Sequence, residues 1–162
     1  MTHEPRLTRA LRELLNTRRV AALGTLDASD PAQPFVSMVP FARLGAESCL
    51  VIHVSALAAH TRNLRAHPQV SLLVTAADAD AEPVHALPRV TLDALAQLPE
   101  RDSPGWTAAR AAYLARFPEA APMTELGDFS FVLLRPTGAR QVAGFGAARS
   151  VDAAELAQVL GD

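Results

Sequence analysis

The amino-acid sequence predicts a mainly β fold, a closed or split β-barrel of six or seven short strands with peripheral helices. Short apolar or alternating runs recur along the chain and are separated by turn residues, which is the pattern of short strands. Only a few segments show helical periodicity. Because no repeat and no shift in composition divides the 162 residues, we expect a single domain over residues 1–162.

Helices are predicted at both ends of the chain. Residues 6–17 place leucines on one side and arginines on the other, so we expect an amphipathic helix that covers one end of the core. Residues 151–160 are expected to close the chain as a second peripheral helix. A further helix is predicted over residues 106–117. We interpret its aromatic stripe as packing rather than cofactor contact; the stripe comprises Trp106, Ala109, Tyr113 and Phe117.

The strands are predicted from the runs between these helices. Residues 20–26 form the first, and residues 35–42 form the second, in which Pro40 lacks an N–H group and so indicates a bulge or an unpaired edge. Residues 76–83 form an acidic, alanine-rich loop. The remaining strands are expected at residues 49–54, 70–75, 89–93, 129–134 and 140–142, the last of them after a turn at residues 135–139.

Composition and charge exclude several classes of protein. The formal net charge is −2 and 49% of the residues are hydrophobic, which argues against disorder and against a nucleic-acid partner. Cys49 is the one cysteine, so no intrachain disulfide is possible, and the five histidines show no metal-ligand spacing, so no metal site is expected. The N-terminus has no long apolar stretch, from which we expect a cytoplasmic protein with neither a signal peptide nor a membrane partner.

The segment after the strand at residues 49–54 carries the predicted functional site. Ser55 is expected to cap a helix that begins at about Leu57, and the unpaired N–H groups at such a helix start favour a phosphate. A polar stripe would lie beside a stripe that packs on the sheet; the two stripes are His60, Asn63 and His67, and Leu57, Thr61 and Leu64. The alternative is an ordinary capped helix with His60 as a surface residue.

Eight short blocks of the sequence resemble one superfamily. Four resemble the N-terminal half of the FMN-binding split barrels related to pyridoxamine 5′-phosphate oxidase: Pro34–Ala42, Leu50–Ser55, His60–Leu64 and Pro68–Val74. Four later blocks match, in order, the haem-utilisation branch of that superfamily: Arg89–Leu92, Tyr113–Pro118, Asp128–Phe131 and Val142–Gly146. The resemblance covers nearly the whole chain and implies an FMN-binding split β-barrel that forms a homodimer with cofactor sites at the interface.

The resemblance also assigns candidate cofactor-binding residues. The basic position of the family's phosphate-contacting helix coincides with His60, and Thr61 lies next to it. Ser55 and Asn63 join this set from the predicted cap and the polar stripe. The family's strand that runs along the flavin ring coincides with four residues whose backbone groups would bond the ring: Ser37, Met38, Val39 and Pro40.

Two further candidates come from the second half of the chain. Arg89 matches a polar position that dimers of the family commonly contribute from the second subunit, and a cation on the protein surface is the alternative. Phe145 lies between two glycines, where it would serve as a lid against the ring or as part of a tight turn.

The resemblance implies an FMN-binding flavoprotein that acts as an oxidoreductase on an unidentified small molecule. The first alternative is a haem-binding or haem-degrading protein; such relatives generally carry a further C-terminal segment, and because this sequence stops at Asp162 we favour FMN. The second alternative is a non-catalytic split-barrel binding module. Vitamin B6 oxidation is not expected, because the substrate-phosphate block of the pyridoxamine phosphate oxidases is not found.

Overall fold

The computed structural model describes residues 3–79 and 83–161 and shows one antiparallel sheet that curls into a split half-barrel. Residues 80–82 of the predicted acidic loop lie outside the described residues. The strands are β1 Val20–Leu26, β2 Pro34–Pro40, β3 Ala42–Leu44, β4 Cys49–Ser55, β5 Gln69–Thr75, β6 Arg89–Gln97, β7 Phe129–Val142 and β8 Ala148–Asp152. The α-helices are α1 Arg6–Thr17, α2 Ala59–Ala66, α3 Pro104–Arg116, α4 Ala121–Thr124 and α5 Ala153–Leu160.

The strand order places β2 and β3 at opposite ends of the sheet. The order is β2-β1-β5-β6-β7-β4-β3, and β8 is added on β7. Curling brings β2 close to β4, and in the described part of the chain no ladder joins them, so the barrel is split there. One edge of β2 is therefore left without a strand partner among the described residues.

Alternation of buried and exposed residues along the strands defines the main core. On β6, for example, Val90, Leu92 and Ala94 are buried while the residues between them are exposed. Helices α1 and α5 cover this interior with Leu11 and Leu156, both fully buried. Each such leucine contributes roughly 1.5–3 kcal/mol of burial free energy. The helix predicted over residues 6–17 is confirmed with the same bounds, and it covers one end of the core as expected.

A second, smaller core lies between α3 and the strands β3, β4 and β7. Tyr113 and Phe117 of α3 are buried there together with Phe131 of β7. Trp106 packs edge-on against Phe131, with 5.6 Å between ring centroids. Ser103 caps the helix, because its hydroxyl accepts the N–H of Trp106 at 3.3 Å. The interpretation of the aromatic stripe as packing is therefore confirmed.

The turn predicted at residues 135–139 is wrong, because β7 runs without a break from Phe129 to Val142. Between β6 and β7 the register shifts so that Asp93 faces Gly138 while Ala94 faces Pro136, which leaves Thr137 as an extra residue. Such a bulge accommodates Pro136, which has no N–H group to donate to the ladder. The chain reverses instead at residues 143–147, and β8 brings the strand count to eight.

Several predicted boundaries also shift. The strand predicted over residues 35–42 is divided near Pro40 into β2 and β3, as expected of a residue that cannot donate. The C-terminal helix begins at Ala153 rather than Val151, because Asp152 caps it by accepting the N–H of Glu155 at 2.8 Å. Among the described residues, no helix is long and apolar enough to span a membrane.

Candidate functional site

The candidate site lies where α2 packs against β1 and β2. Strand β4 ends at Ser55, residues 56–58 make a turn, and α2 begins at Ala59 rather than near Leu57. Thr61 is buried, and its hydroxyl donates to the carbonyl of Ser55 at 2.6 Å. The start of α2 is thereby fixed to the end of a buried strand.

Ser55 does not cap α2, contrary to the prediction. Its hydroxyl accepts the N–H of Leu57 at 3.2 Å and so closes the turn that precedes the helix. The N-cap position is taken by Ala58, which has no side-chain acceptor. The turn displaces the helix start by two residues, and this displacement separates Ser55 from the N–H groups that it was expected to satisfy.

His60 is held by Ser37, and we call these two residues the His60–Ser37 pair. The Ser37 hydroxyl lies 2.9 Å from Nδ1 of His60. Burial lowers the pKa of the half-buried imidazole, so the neutral form is favoured. No hydrogen bond to Nε2 is found within residues 3–79 and 83–161, and Nε2 is not one of the buried atoms that lack a partner. Nε2 is therefore not fully buried.

Asn63 ties α2 to the turn between β1 and β2. Its Nδ2 donates to Thr25 at 3.0 Å, and its Oδ1 accepts the N–H of Ala28 at 2.9 Å. The residue is only 3% exposed, so the polar stripe predicted on α2 is interrupted by a buried structural side chain. A cofactor role for Asn63 or for Thr61 stays a prediction, since the structure uses the polar groups of both within the chain.

Strand β2 presents apolar side chains at the surface beside this pair. Val39 is buried, whereas Val36 and Met38 are 67% and 64% exposed, and Phe35 on the same face as Ser37 is 39% exposed. The outer edge of a strand with exposed apolar groups is a typical binding surface. Backbone contacts from Ser37, Met38, Val39 and Pro40 to a cofactor stay a prediction.

Arg89 lies apart from the His60–Ser37 pair within one protomer. It begins β6, which is separated from β2 by β5 and β1, so three strand spacings of roughly 4.8 Å each lie between the two strands. Its guanidinium donates to the carbonyls of His85 and Leu87, at 3.2 and 3.0 Å, and fixes the segment that leads into the strand. The expected contribution of Arg89 to a second subunit's site stays a prediction.

Phe145 lies at the tip of the hairpin that joins β7 and β8, and it is 76% exposed. The flanking glycines have φ angles of 129° and 71°, which other residues rarely adopt. The N–H of Ala143 donates to the carbonyl of Ala147 at 3.1 Å and closes the hairpin. Phe145 therefore belongs to a tight turn, and a lid role for it stays a prediction.

Two hollows lie elsewhere on the surface. One of about 420 Å³ lies on the outward face of β1, β5 and β6, where Ser71 donates to Asp93 at 2.6 Å. Another of about 520 Å³ lies between the N-terminal segment and α5, beside Arg12 and Glu155. Neither is lined by the His60–Ser37 pair, which lies beside the edge strand β2.

A second histidine, His53 of β4, belongs to the smaller core. Its ring stacks on Phe129 with 5.0 Å between centroids and lies 4.5 Å from the ring of Phe131 and 5.7 Å from that of Tyr113. Burial, and to a smaller extent the Arg101 guanidinium, lowers the pKa of His53 to about 4. Its Nδ1 is buried without a partner among the described residues. The alternation of β4 does not reveal this aromatic surrounding, because the rings come from distant segments.

Comparison with known proteins identifies the family. A sequence model described as pyridoxamine 5′-phosphate oxidase matches residues 7–143. The chain belongs to this family. The predicted family and the split-barrel fold are therefore confirmed.

Two relatives in the family carry names that refer to haem. The chain is 35% identical over 152 residues to Heme oxygenase HutZ of Vibrio cholerae, covering 93% of this chain and 84% of that protein. It is 38% identical over 135 residues to a chloroplastic heme oxygenase, HOZ, of Arabidopsis thaliana, covering 83% of this chain and 39% of that protein.

Solved structures of the family show the same likeness. A heme binding protein from Mycobacterium smegmatis superimposes with a TM-score of 0.84 at 32% identity, covering 97% of this chain and 62% of that one. The structure of HutZ from V. cholerae, described there as a heme storage protein, superimposes with a TM-score of 0.73 at 33% identity and covers 82% of this chain and 91% of that one. The chain thus spans less than two thirds of the mycobacterial and plant proteins.

The expectation of an FMN-dependent oxidoreductase is wrong in the light of these relatives. Proteins that are 32–38% identical to this chain are named for haem binding, haem storage or haem oxygenation, and these findings favour the haem alternative. The chemistry of the site agrees, because burial favours the neutral form of His60, and a neutral imidazole is a weak anchor for a phosphate dianion.

Proposed function

We propose that this chain is a haem-binding protein of the heme oxygenase type. The observation that carries the proposal is its 35% identity to the V. cholerae heme oxygenase over 93% of its own length. Two proteins that align at this level of identity over a whole domain share a fold, and they commonly bind the same class of ligand.

The residues at the α2–β2 surface fit a haem. A haem needs a donor atom for its iron and apolar contacts for the porphyrin faces. The half-buried His60 offers an imidazole nitrogen, and two exposed apolar groups lie near it: Phe35, on the same face of β2 as Ser37, and Leu57, just before α2. Arg62 and Arg65 on the exposed side of α2 supply cations for the propionate groups.

Haem degradation is the activity that we propose for the bound state. A haem held at this surface would supply an iron for oxygen chemistry, with electrons from an external donor. The task of this chain is to bind the haem, to orient it and to shield it from water through the apolar side chains of β2. If haem is bound but not degraded, the chain is a haem-binding module. A cytoplasmic location stays a prediction from the sequence.

We also propose that two copies of the chain form the working unit. The outward face of the sheet exposes five apolar side chains, between 39% and 67% exposed: Val20, Val36, Met38, Leu73 and Leu95. Apolar side chains spread over adjacent strands are typical of a protein interface. A twofold dimer would cover this face on both copies with one self-complementary contact.

The test of the proposed function is titration of the purified protein with ferric haem, followed by absorption in the Soret region. We expect saturable binding of haem, and we expect no uptake of FMN under the same conditions. Addition of ascorbate in air should then bleach the Soret band with release of a linear tetrapyrrole if the protein is an oxygenase. Failure to shift the Soret band at a large excess of protein over haem would overturn haem binding itself.

A further inference from the structure

The outward face of the sheet carries charged side chains as well as apolar ones. Residues that lie directly opposite each other in an antiparallel ladder point to the same side of the sheet. Thr91 lies opposite Leu73 on β5 and opposite Arg140 on β7, so Arg140 shares the outward face with the exposed Leu73. Asp93 lies two residues further along β6 and is exposed on the same side. An acid and a cation therefore lie beside the apolar residues of this face.

The carboxylate of Asp93 has one hydrogen-bond donor and no cation as a partner within the described part of the chain. The Ser71 hydroxyl donates to it at 2.6 Å. Asp93 also lines the hollow of about 420 Å³ on this face, together with Ser71 and Gly24, which have a small side chain or none. A long side chain from another molecule therefore has room to reach the carboxylate.

Arg140 is exposed, and its guanidinium makes no hydrogen bond or ion pair within residues 3–79 and 83–161. It is a diagonal neighbour of Asp93 on β6 and of Asp152 on β8. Such neighbours are roughly 7–8 Å apart, which an arginine side chain can span. In a single copy, however, Asp93 accepts from Ser71, and Asp152 caps α5. The charge of Arg140 is thus available to a partner.

We propose that Arg140 of each copy forms an ion pair with Asp93 of the partner subunit, and that the two equivalent pairs fix the register of a twofold dimer. An apolar contact over this face would otherwise bury the Asp93 carboxylate with a single hydroxyl donor, which is unfavourable unless a cation meets it. The face carries both members of the pair, so it is complementary in charge to a second copy of itself. The inference rests on the dimer proposed with the function.

The test first reverses each charge separately. Asp93→Arg replaces the acid of the face by a second arginine, and Arg140→Asp replaces the arginine by a second acid. Each variant would bring like charges together twice across the twofold contact, so we expect its dimer dissociation constant to rise roughly a hundredfold or more. Sedimentation equilibrium of the wild type and of each variant measures this constant.

An equal mixture of the two variants distinguishes a pair between copies from a pair within one copy. In a mixed dimer, every arginine at these positions would meet a carboxylate, so we expect heterodimers of near wild-type affinity, which native mass spectrometry identifies by their mass. A pair within one copy would give no such recovery. The double variant Asp93→Arg/Arg140→Asp should also regain the homodimer, and either recovery shows that the substituted chains fold.

Glu13→Arg and Arg9→Asp are the matched controls. They change the net charge by the same amounts, but both positions are exposed on α1, which covers the interior of the barrel rather than the outward face. We expect each control to remain a homodimer, and we expect their mixture to exchange subunits at random. A preference for heterodimers as strong as that of the Asp93 and Arg140 variants would overturn the assignment, because net charge alone would then explain it.

The outcomes separate this inference from haem binding. If both single variants stay dimeric like the wild type, or if they dissociate and their mixture forms no heterodimer, the pair between Arg140 and Asp93 is overturned. A monomeric wild type would overturn the dimer together with the pair. Titration of the wild type with ferric haem is read independently, so a missing Soret shift would overturn haem binding and leave a positive heterodimer result standing.

Discussion

At the scale of single residues, His53 links the smaller core to the pH dependence of stability. Its neutral ring packs among Phe129, Phe131 and Tyr113, and burial lowers its pKa from 6.5 to about 4. The unfolded chain therefore binds a proton at higher pH than the folded chain does. The stabilisation is complete above pH 6.5 and is lost as the pH falls from 6.5 towards 4.

We predict that His53→Phe removes this pH dependence. Wild-type protein should lose roughly 1–2 kcal/mol of unfolding free energy between pH 7 and pH 4.5 on account of His53, after allowance for partial solvent exposure. Phenylalanine keeps the aromatic packing and has no proton to gain. The measurement is urea denaturation at both pH values, with the exposed His85→Asn as the control. Equal losses in wild type and His53→Phe would contradict the role given to His53.

Asn63 is the residue on which attachment of α2 depends most. Its amide makes two hydrogen bonds from a position that is only 3% exposed, to Thr25 and to the N–H of Ala28. Truncation removes the donor to the buried Thr25 hydroxyl, which keeps only its 3.5 Å contact to the Phe35 carbonyl, and the acceptor for the N–H of Ala28, so Asn63→Ala should lower the unfolding free energy by about 1–3 kcal/mol. Urea denaturation of the wild type and Asn63→Ala measures the loss, and a loss below about 0.5 kcal/mol would contradict this role of Asn63.

At the scale of elements, α5 is held by a charged cluster that sequence periodicity does not reveal. Glu155 accepts two hydrogen bonds from Arg149, at 2.7 and 2.9 Å, and one from the hydroxyl of Thr8 on α1 at 2.7 Å. The hydrogen bond from Arg149 is the main cause that lowers the pKa of the Glu155 carboxyl. One side chain thus joins α1, β8 and α5.

Glu155→Gln is expected to weaken this junction above pH 5 and to have little effect in acid. A carboxyl whose folded pKa is depressed stabilises the fold above its unfolded pKa of 4.5, and the contribution is lost as the pH falls below that value. The loss at pH 7 should be about 1 kcal/mol, because the two side chains are about a quarter exposed. Thermal unfolding at pH 7 and pH 3.5 measures it; a larger loss at pH 3.5 would contradict the assignment.

Some secondary-structure elements could be predicted from the sequence, and others could not. Periodicity is enough for α1, because its leucines and arginines divide cleanly between two faces. It fails at β7, where Pro136 and Gly138 are typical turn residues but a bulge opposite Asp93 absorbs them into one strand. It also fails at Ser55, since the turn at residues 56–58 depends on a backbone contact from Ala56 to the distant Asp128.

At the scale of the whole molecule, the family and the half-barrel were predictable because matching blocks run along nearly the whole chain. The ligand was not predictable, because the split-barrel fold does not by itself determine which cofactor a protein binds. The His60–Ser37 contact joins positions 23 residues apart, and only the tertiary structure shows that the Ser37 hydroxyl meets the imidazole. Tertiary contacts therefore changed the interpretation of a residue that the sequence had already singled out.

The outward face of the sheet is the surface through which we expect two copies of the chain to associate. Met38, Ala22 and Leu73 lie in one row across β2, β1 and β5, since Ala22 pairs with both of the others. Met38 and Leu73 are 64% and 39% exposed, so the row is an apolar strip on the open side of the sheet. We expect wild-type protein to be a dimer through this strip in light scattering and sedimentation equilibrium.

Leu73→Asp should dissociate that dimer. A twofold interface contains each substitution twice, so two unpaired carboxylates would have to be buried, and the dimer dissociation constant should rise roughly 1,000-fold or more. Leu126→Asp is the matched control, because Leu126 is similarly exposed, at 47%, but follows α4 rather than lying on the sheet. The control should remain dimeric and bind haem as the wild type does. A dimer that survives Leu73→Asp would show that the two copies meet elsewhere, and the apolar strip would then have to be assigned to a different contact.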